Sequence, residues 1–271
     1  MREKTCGLAT HKVRKETVNR KHLFEHMTKN SDSIILIPAR MASTRLPNKP
    51  LADIHGHPMI VHVLRRAMES QAGRVIVAAA EEAIAEAVIA AGGEAHLTPA
   101  DLPSGTDRIA HVLDKIDPEK QFQRIINVQG DLPLLEPRLI TTALETLETA
   151  DMSTLVAHIT KPDEINNPNV VKAALSLDHA NADRGRALFF SRAAIPSGGP
   201  HYHHIGLYVY RRAALERFVS LPPSPLEQSE RLEQLRALED GFVIRAAIVD
   251  TVPHGVDTPE DLEFARRALA E

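Results

Sequence analysis

Three cationic side chains, Arg40, Arg45 and Lys49, stand without an intervening acid in the stretch IPARMASTRLPNKPL, residues 37–51. Two planar guanidinium forks and one compact ammonium suit phosphate oxygens, and Ser43 and Thr44 add hydroxyl donors. Pro38, Pro47 and Pro50 stiffen the backbone that carries them. No glycine follows until Gly56, so neither a dinucleotide fingerprint nor a P-loop is present. Cations in a loop also serve solubility, but this acid-free, proline-bounded set reads as a triphosphate site built from side chains.

Two acids could complete such a site. Asp131, in NVQGD, follows an apolar run, where a carboxylate at a strand's carboxyl end can hold a Mg²⁺ that bridges phosphates. Asp257, in GVDTPEDL, is the second candidate metal ligand, although Thr258, Pro259, Glu260 and Asp261 also form a helix amino-terminal cap of which Asp257 could be part. Two acids with a cationic loop describe metal-assisted nucleotidyl transfer, in which Lys49, Arg45, Asp131 and Asp257 are the catalytic candidates.

Something must bring these residues together. The apolar runs 34–38, 74–80, 124–130 and 153–159 are continuous rather than alternating, as strands buried on both faces are. Helical patterns lie between them at 58–69, 81–91, 106–116 and 137–149, giving repeated βαβ units and predicting an α/β fold with a mostly parallel sheet flanked by helices. Ligands in such sheets bind beyond the carboxyl ends of the strands, which is where the cationic loop falls. Strands are predicted at 169–175 and 204–211, and helices at 224–241, closed by Gly241, and at 258–269. Leu226, Leu232 and Leu235 read as a core stripe.

With a net charge of −4 and 43% hydrophobic residues, the 271-residue chain carries no general attraction for nucleic acid or an anionic membrane. The single Cys6 excludes an internal disulfide framework and fits a reducing compartment. No apolar run approaches the ~18 residues of a spanning helix, so the protein reads as soluble and cytoplasmic. Residues 1–32 read as a disordered extension or one produced by a start codon placed too far upstream, and 33–271 as one domain with an elaborated carboxyl-terminal half. The histidines of HYHHIG lack neighbouring cysteines or spaced acids and read as a His-rich loop rather than a zinc site. Arg108, in a helix after SGT, is open between a surface residue and a phosphate contact.

The opening loop resembles that of CMP-Kdo synthetases (3-deoxy-manno-octulosonate cytidylyltransferases). The similarity continues through GHPMIVHVL, SGTDRIA, INVQGDLPLL, NPNVVK, LFFSRAAIP, HIGLYVYR, SPLEQSERLEQLRAL and GVDTPEDLE, from about residue 33 to the end. The resemblance implies a nucleotide-diphosphosugar transferase-like, Rossmann-like fold, a homodimer, Mg²⁺ as cofactor, and transfer of CMP from CTP to the acidic sugar Kdo for lipopolysaccharide synthesis. It further implies that Arg40, Ser43, Arg45, Lys49, Ser104, Thr106 and Gln129 contact the nucleotide, that Asp131 and Asp257 bind the metal, and that Arg192, His204, Tyr208, Glu233 and Gln234 surround the sugar. Glu233 and Gln234 are adjacent on a predicted helix and cannot point the same way, so one of them serves packing or the dimer. Tyr208 alternates with Tyr210, which predicts that one of the two is core.

The chain departs from the family pattern at Ala79 and Ala80, where Thr and Asp are usual, so a polar contact near the nucleotide or supporting its loop is either missing or supplied by Glu81. The segment after Pro196 is short, and Ser197 stands where a Trp often does. A related acidic sugar such as sialic acid, or nucleotide binding without catalysis, are the competing readings.

Overall fold

The computed structural model describes residues 32–270. Apart from Asp32, the extension read at 1–32 lies outside them. In chain order the elements are β1 (Ser33–Ala39), β2 (Asp53–Ile54), β3 (His57–Pro58), α1 (Met59–Glu69), β4 (Arg74–Ala79), α2 (Glu82–Ala90), β5 (Ala95–Leu97), α3 (Gly105–Ile116), β6 (Arg124–Asn127) and α4 (Pro137–Thr146). The second half follows as β7 (Met152–His158), α5 (Pro162–Ile165), β8 (Lys172–Leu177), β9 (Arg184–Ser191), β10 (Tyr202–Arg211), α6 (Arg212–Ser220), α7 (Pro225–Glu230), α8 (Gln234–Glu239), β11 (Ile244–Val249) and α9 (Pro259–Ala268).

Nine strands form one sheet in the order β5-β4-β1-β6-β10-β7-β11-β9-β8. The βαβ reading holds for the first half, where β5, β4, β1 and β6 are mutually parallel. Ile34, Ile35, Leu36 and Ile37 of β1 are fully buried because α1, α2 and α4 pack on one face while α3, α6 and α8 pack on the other. The second half makes the sheet mixed. β10 runs antiparallel to both β6 and β7, and β9 runs antiparallel to β8 and β11. The alternation of buried and half-exposed residues along β10 suits that arrangement, unlike the continuous apolar runs of the parallel strands.

The helix predicted at 224–241 is two helices. A capping box between Ser224 and Glu227 starts α7, and Arg231, in the left-handed conformation at φ 55°, stops it before α8 begins. The break shifts the leucine stripe: Leu232 and Leu235 are buried, but Leu226 is 39% exposed and is not core.

A smaller core joins distant parts of the chain near the site. Ile54 and Met59, from the β2–β3 hairpin and the start of α1, pack with Val256, Leu262 and Ala265, and Leu46 of the cationic loop rests against them. At the other end of β6, Asp117 and Arg212 form a buried ion pair, and Asp117 also accepts the Gln121 and Phe122 amides. Removing one partner of a buried pair strands the other charge, so Arg212→Met should lower unfolding stability by about 3 kcal/mol. A urea denaturation series reads this, and an unchanged midpoint would contradict it.

Candidate functional site

The cationic loop leaves the carboxyl end of β1 and forms one wall of a cleft of about 490 Å³. Arg40, Ser43, Thr44, Arg45 and Lys49 line it on that side; Ser104, Gly105, Arg108, Gln129, Asp131 and Asp257 face them. A short 3-10 turn, Lys49–Leu51, entered through Asn48 at φ 56°, fixes Lys49. Its Nζ donates to Asp131 Oδ2 at 2.8 Å and to Asp257 Oδ1 at 2.9 Å. Arg45 pairs with the other Asp257 oxygen at 2.9 Å. Burial by itself would lower the Lys49 pKa, but the Asp131 and Asp257 carboxylates override it and the ammonium titrates above its ordinary value.

Main-chain bonding explains why the two acids meet. The Val256 amide donates to the Asp131 carbonyl at 2.9 Å, so Asp257 emerges beside the turn that follows β6. The α9 cap does not consume it. Thr258 and Asp261 form the capping box, with Asp261 Oδ2 accepting the Asp257 and Thr258 amides, and the Asp257 carboxylate is left to face the loop.

The cleft wall opposite the loop is the start of α3. Ser104 is its N-cap: Oγ accepts the Asp107 amide at 3.1 Å and donates to Asp107 Oδ2 at 2.7 Å. The helix therefore presents its positive end to the cleft, a favourable place for phosphate. Arg108, open between two readings in the sequence, is 2% exposed; it bonds Thr98 Oγ1 and the Pro99 carbonyl while reaching the cleft lining. The SGT signal placed the helix start, but only the fold shows that its fourth residue turns inward. Thr106 departs from the expected nucleotide contact. It is 2% exposed on the interior side of α3, and its hydroxyl faces Tyr210 and Glu233 rather than the cleft.

The residues assigned to the sugar lie behind this cleft, along β10 and the α7–α8 break. Tyr208 and Tyr210 occupy the same face, as a period of two requires, with ring centroids 6.1 Å apart; Tyr210 is core and Tyr208 is half-buried. Burial raises both hydroxyls well above the ordinary tyrosine range. His204 is buried with its ring against Phe190 and Tyr208, and its Nε2 lies 3.0 Å from Thr154 Oγ1. The Thr154 hydroxyl has one proton, which is directed at the Ile205 or Leu207 carbonyl. With that proton on a carbonyl, the bond to His204 is made by the tautomer that carries its hydrogen on Nε2. Burial pushes the His204 pKa down to about 3, so the ring is neutral at physiological pH. Glu233 is half-buried at the start of α8, burial raises its pKa, and its Oε1 has no hydrogen-bond partner among the described residues. Gln234 is buried, so the pair divides as expected from their adjacency.

Arg192, implied by the resemblance to face the sugar, lies just past the end of β9 and is half-buried. Its guanidinium donates to the carbonyls of Pro168 at 2.8 Å and Glu230 at 3.0 Å, and more weakly to that of Arg231, the carbonyls freed where α7 stops. Lys172, fully buried, likewise holds the Asn167, Val170 and Arg192 carbonyls. The NPNVVK motif did not single out this lysine, because a buried cation saturated by carbonyls has no sequence signature beyond its flanking apolar residues.

Residues 34–247 match the family model of cytidylyltransferases. The 3-deoxy-manno-octulosonate cytidylyltransferase of Parvibaculum lavamentivorans is 63% identical over 240 residues, covering 88% of this chain and 92% of the relative. That of Rhodospirillum rubrum is 62% identical, covering 87% and 95%. A solved CMP:2-keto-3-deoxy-manno-octonic acid synthetase complexed with CTP superposes with a TM-score of 0.80 at 38% identity, covering 89% of this chain and 99% of that one. The chain belongs to the 3-deoxy-manno-octulosonate cytidylyltransferase family. As a member of it, the chain also has the family's expected α/β fold.

The donor set of this cytidylyltransferase fits a divalent ion. One ammonium already lies within 2.9 Å of an oxygen from each acid, so both carboxylates reach a single cation-sized position. Among the described residues no cluster of three or more ligating side chains exists. Mg²⁺ takes one or two carboxylates and fills its sphere with phosphate oxygens and water, so two acids are donors enough for it.

Two predictions follow from the packing here. A Cβ at Gly130 would stand 2.7 Å from the Pro38 carbonyl, so Gly130→Ala should prise the Asp131 turn away from β1 and weaken nucleotide binding roughly tenfold or more, measurable by calorimetry. Because His204 is neutral when folded and protonates near 6.5 when unfolded, stability should fall as pH drops from about 6.5 towards 3, by up to about 1.4 kcal/mol per unit. Denaturation midpoints of His204→Gln that retain the wild-type slope over that range would contradict this.

Proposed function

We propose that this chain transfers CMP from CTP to the acidic sugar Kdo, releasing pyrophosphate, and that it does so in the cytoplasm as a step towards lipopolysaccharide. The observation that carries the reading is the single cleft in which Arg40, Arg45 and Lys49 face Asp131 and Asp257. It is supported by more than 60% identity to cytidylyltransferases of that name over nearly their whole length. Among the described residues no helix is long and apolar enough to cross a membrane.

In this mechanism Arg40, Arg45, Ser43 and Lys49 hold the triphosphate, with the α3 amino terminus and Arg108 across the cleft. Gln129 and Ser104 lie where the rest of the nucleotide sits. The anomeric hydroxyl of Kdo attacks the α-phosphorus in line and gives up its proton to solvent, a new P–O bond forms, the α–β bridge breaks, and pyrophosphate leaves against the loop cations. Asp131 and Asp257 would hold Mg²⁺, which would neutralise phosphate charge and lower the pKa of the attacking hydroxyl. Lys49, shared between the acids, keeps the two carboxylates from repelling one another and passes to the phosphates as they arrive. On the acceptor side, the half-buried Tyr208 and Glu233 offer hydrogen bonds to sugar hydroxyls. The His204 ring lies against Tyr208, and Gln234 is buried. Arg192 is held by three carbonyls and keeps two N–H donors for the sugar carboxylate.

The homodimer implied by the resemblance is part of the proposal. The exposed Leu177 and Leu188 on the β8–β9 edge supply apolar surface for it, and sedimentation equilibrium should return twice the chain mass.

Pyrophosphate release from CTP and Mg²⁺, with Kdo, sialic acid or no sugar in parallel, tests the reading. Release with Kdo alone is expected; release with sialic acid in preference, or with none of the three, would contradict it. Asp131→Asn should lower turnover on the order of a hundredfold at saturating Mg²⁺, since metal-borne charge stabilisation amounts to several kcal/mol. Near-normal turnover of that variant would make the metal assignment wrong.

A further inference from the structure

The cationic loop leaves β1 at Arg40, and the turn after β4 runs alongside. The Ala80 amide donates to the Ala39 carbonyl at 2.9 Å, and one residue on, Glu81 Oε2 accepts the Met41 amide at 3.0 Å. Glu81 occupies the N-cap position of α2 in an extended conformation, yet its side chain does not cap that helix. It reaches instead to a residue 40 positions earlier. Further along the loop the Leu46 amide is held by Ser43 Oγ at 3.3 Å, from within the loop itself. Glu81 thus holds the first amide of the loop from outside it.

Glu81 does not line the cleft, so it is not placed to touch the nucleotide. It does share an electrostatic neighbourhood with two cleft cations. Burial depresses the Arg108 pKa; Glu81 opposes that effect, and Arg40 adds to it. Its neighbours Ala79 and Ala80 have no polar side chain that could make the same contact. The peptide held here joins Arg40 to Met41 and leads on to Arg45, so its direction bears on both guanidinium groups, while Lys49 is anchored separately by its 3-10 turn and the two acids.

We propose that Glu81 is a positioning residue for nucleotide binding, which sets the direction in which the Arg40–Lys49 loop leaves the sheet by holding the Met41 amide. This rests on the reading of that loop as the holder of the CTP triphosphate. The contact is a charge-assisted hydrogen bond from a carboxylate to a main-chain amide, and an amide side chain in the same place still offers an accepting oxygen.

The test compares the wild-type protein with Glu81→Ala and Glu81→Gln in three measurements: CTP affinity by calorimetry, thermal unfolding, and hydrogen exchange of the peptide containing Met41. Glu81→Ala should weaken CTP binding roughly tenfold, in keeping with the loss of one hydrogen bond to a charged group. It should also speed exchange at Met41, with an unfolding midpoint close to that of the wild type. Glu81→Gln should recover most of the affinity and the protection. In steady state the KM for CTP should rise while that for the sugar stays fixed. Unaltered exchange at Met41 in Glu81→Ala overturns the inference, and so does wild-type CTP affinity in that variant. A loss of affinity in both variants that follows a fall in the unfolding midpoint also overturns it, because the role would then be general stability. Wild-type protein that binds no CTP would instead overturn the reading of the loop, whatever exchange at Met41 does.

Discussion

One ammonium group, Lys49 Nζ, holds together carboxylates that the chain supplies 82 residues and 208 residues later. Without it, Asp131 and Asp257 would face each other across the mouth of the cleft as like charges. Much of the architecture can be understood as what brings the three side chains together. A 3-10 turn that contains Pro50 fixes the lysine, a main-chain bond from Val256 to Asp131 joins the acid-bearing turns, and a capping box on α9 that does not use the Asp257 carboxylate leaves it to the lysine. The small core of Ile54, Met59, Val256 and Leu262 secures that arrangement from beneath.

The sheet divides the work. Its parallel half ends in loops at one edge, and those loops carry the cations, the α3 amino terminus and Asp131. The mixed half, where β10 runs between β6 and β7, builds the wall behind, with His204 and Tyr208 on one strand and Glu233 at the break between α7 and α8. That break has a structural use. Stopping α7 at Arg231 frees carbonyls, and Arg192 takes them up, so the end of β9 is bound to the helical segment.

How much of this was legible in the residues depended on whether the signal was local. The cation loop, the two acids and the βαβ rhythm are local patterns, and each fell where the pattern placed it. The α9 cap was legible too, and its presence counted against Asp257 until the structure showed Thr258 and Asp261 completing the cap between themselves. The failures are long-range or conformational. Nothing in SPLEQSERLEQLRALEDG announces a left-handed Arg231, since apolar spacing alone supports one continuous helix. The inward turn of Thr106 and Arg108 depends on which face of α3 meets β1. The anchoring of Arg192 by carbonyls depends on a helix end distant in sequence. The strands β5, β9 and β11 are short or interrupted by charge, and were not singled out.

The central claim is that side-chain cations, in a loop without glycine, bind the triphosphate of CTP. Calorimetric affinities of CTP, CDP and CMP, measured at one salt concentration for the wild-type protein and Arg45→Ala, test it most directly. The account predicts that affinity climbs steeply with each added phosphate in the wild type and that Arg45→Ala flattens the climb while leaving CMP binding little changed. Equal affinity for CTP and CMP in the wild type, or a slope that Arg45→Ala does not alter, would contradict it.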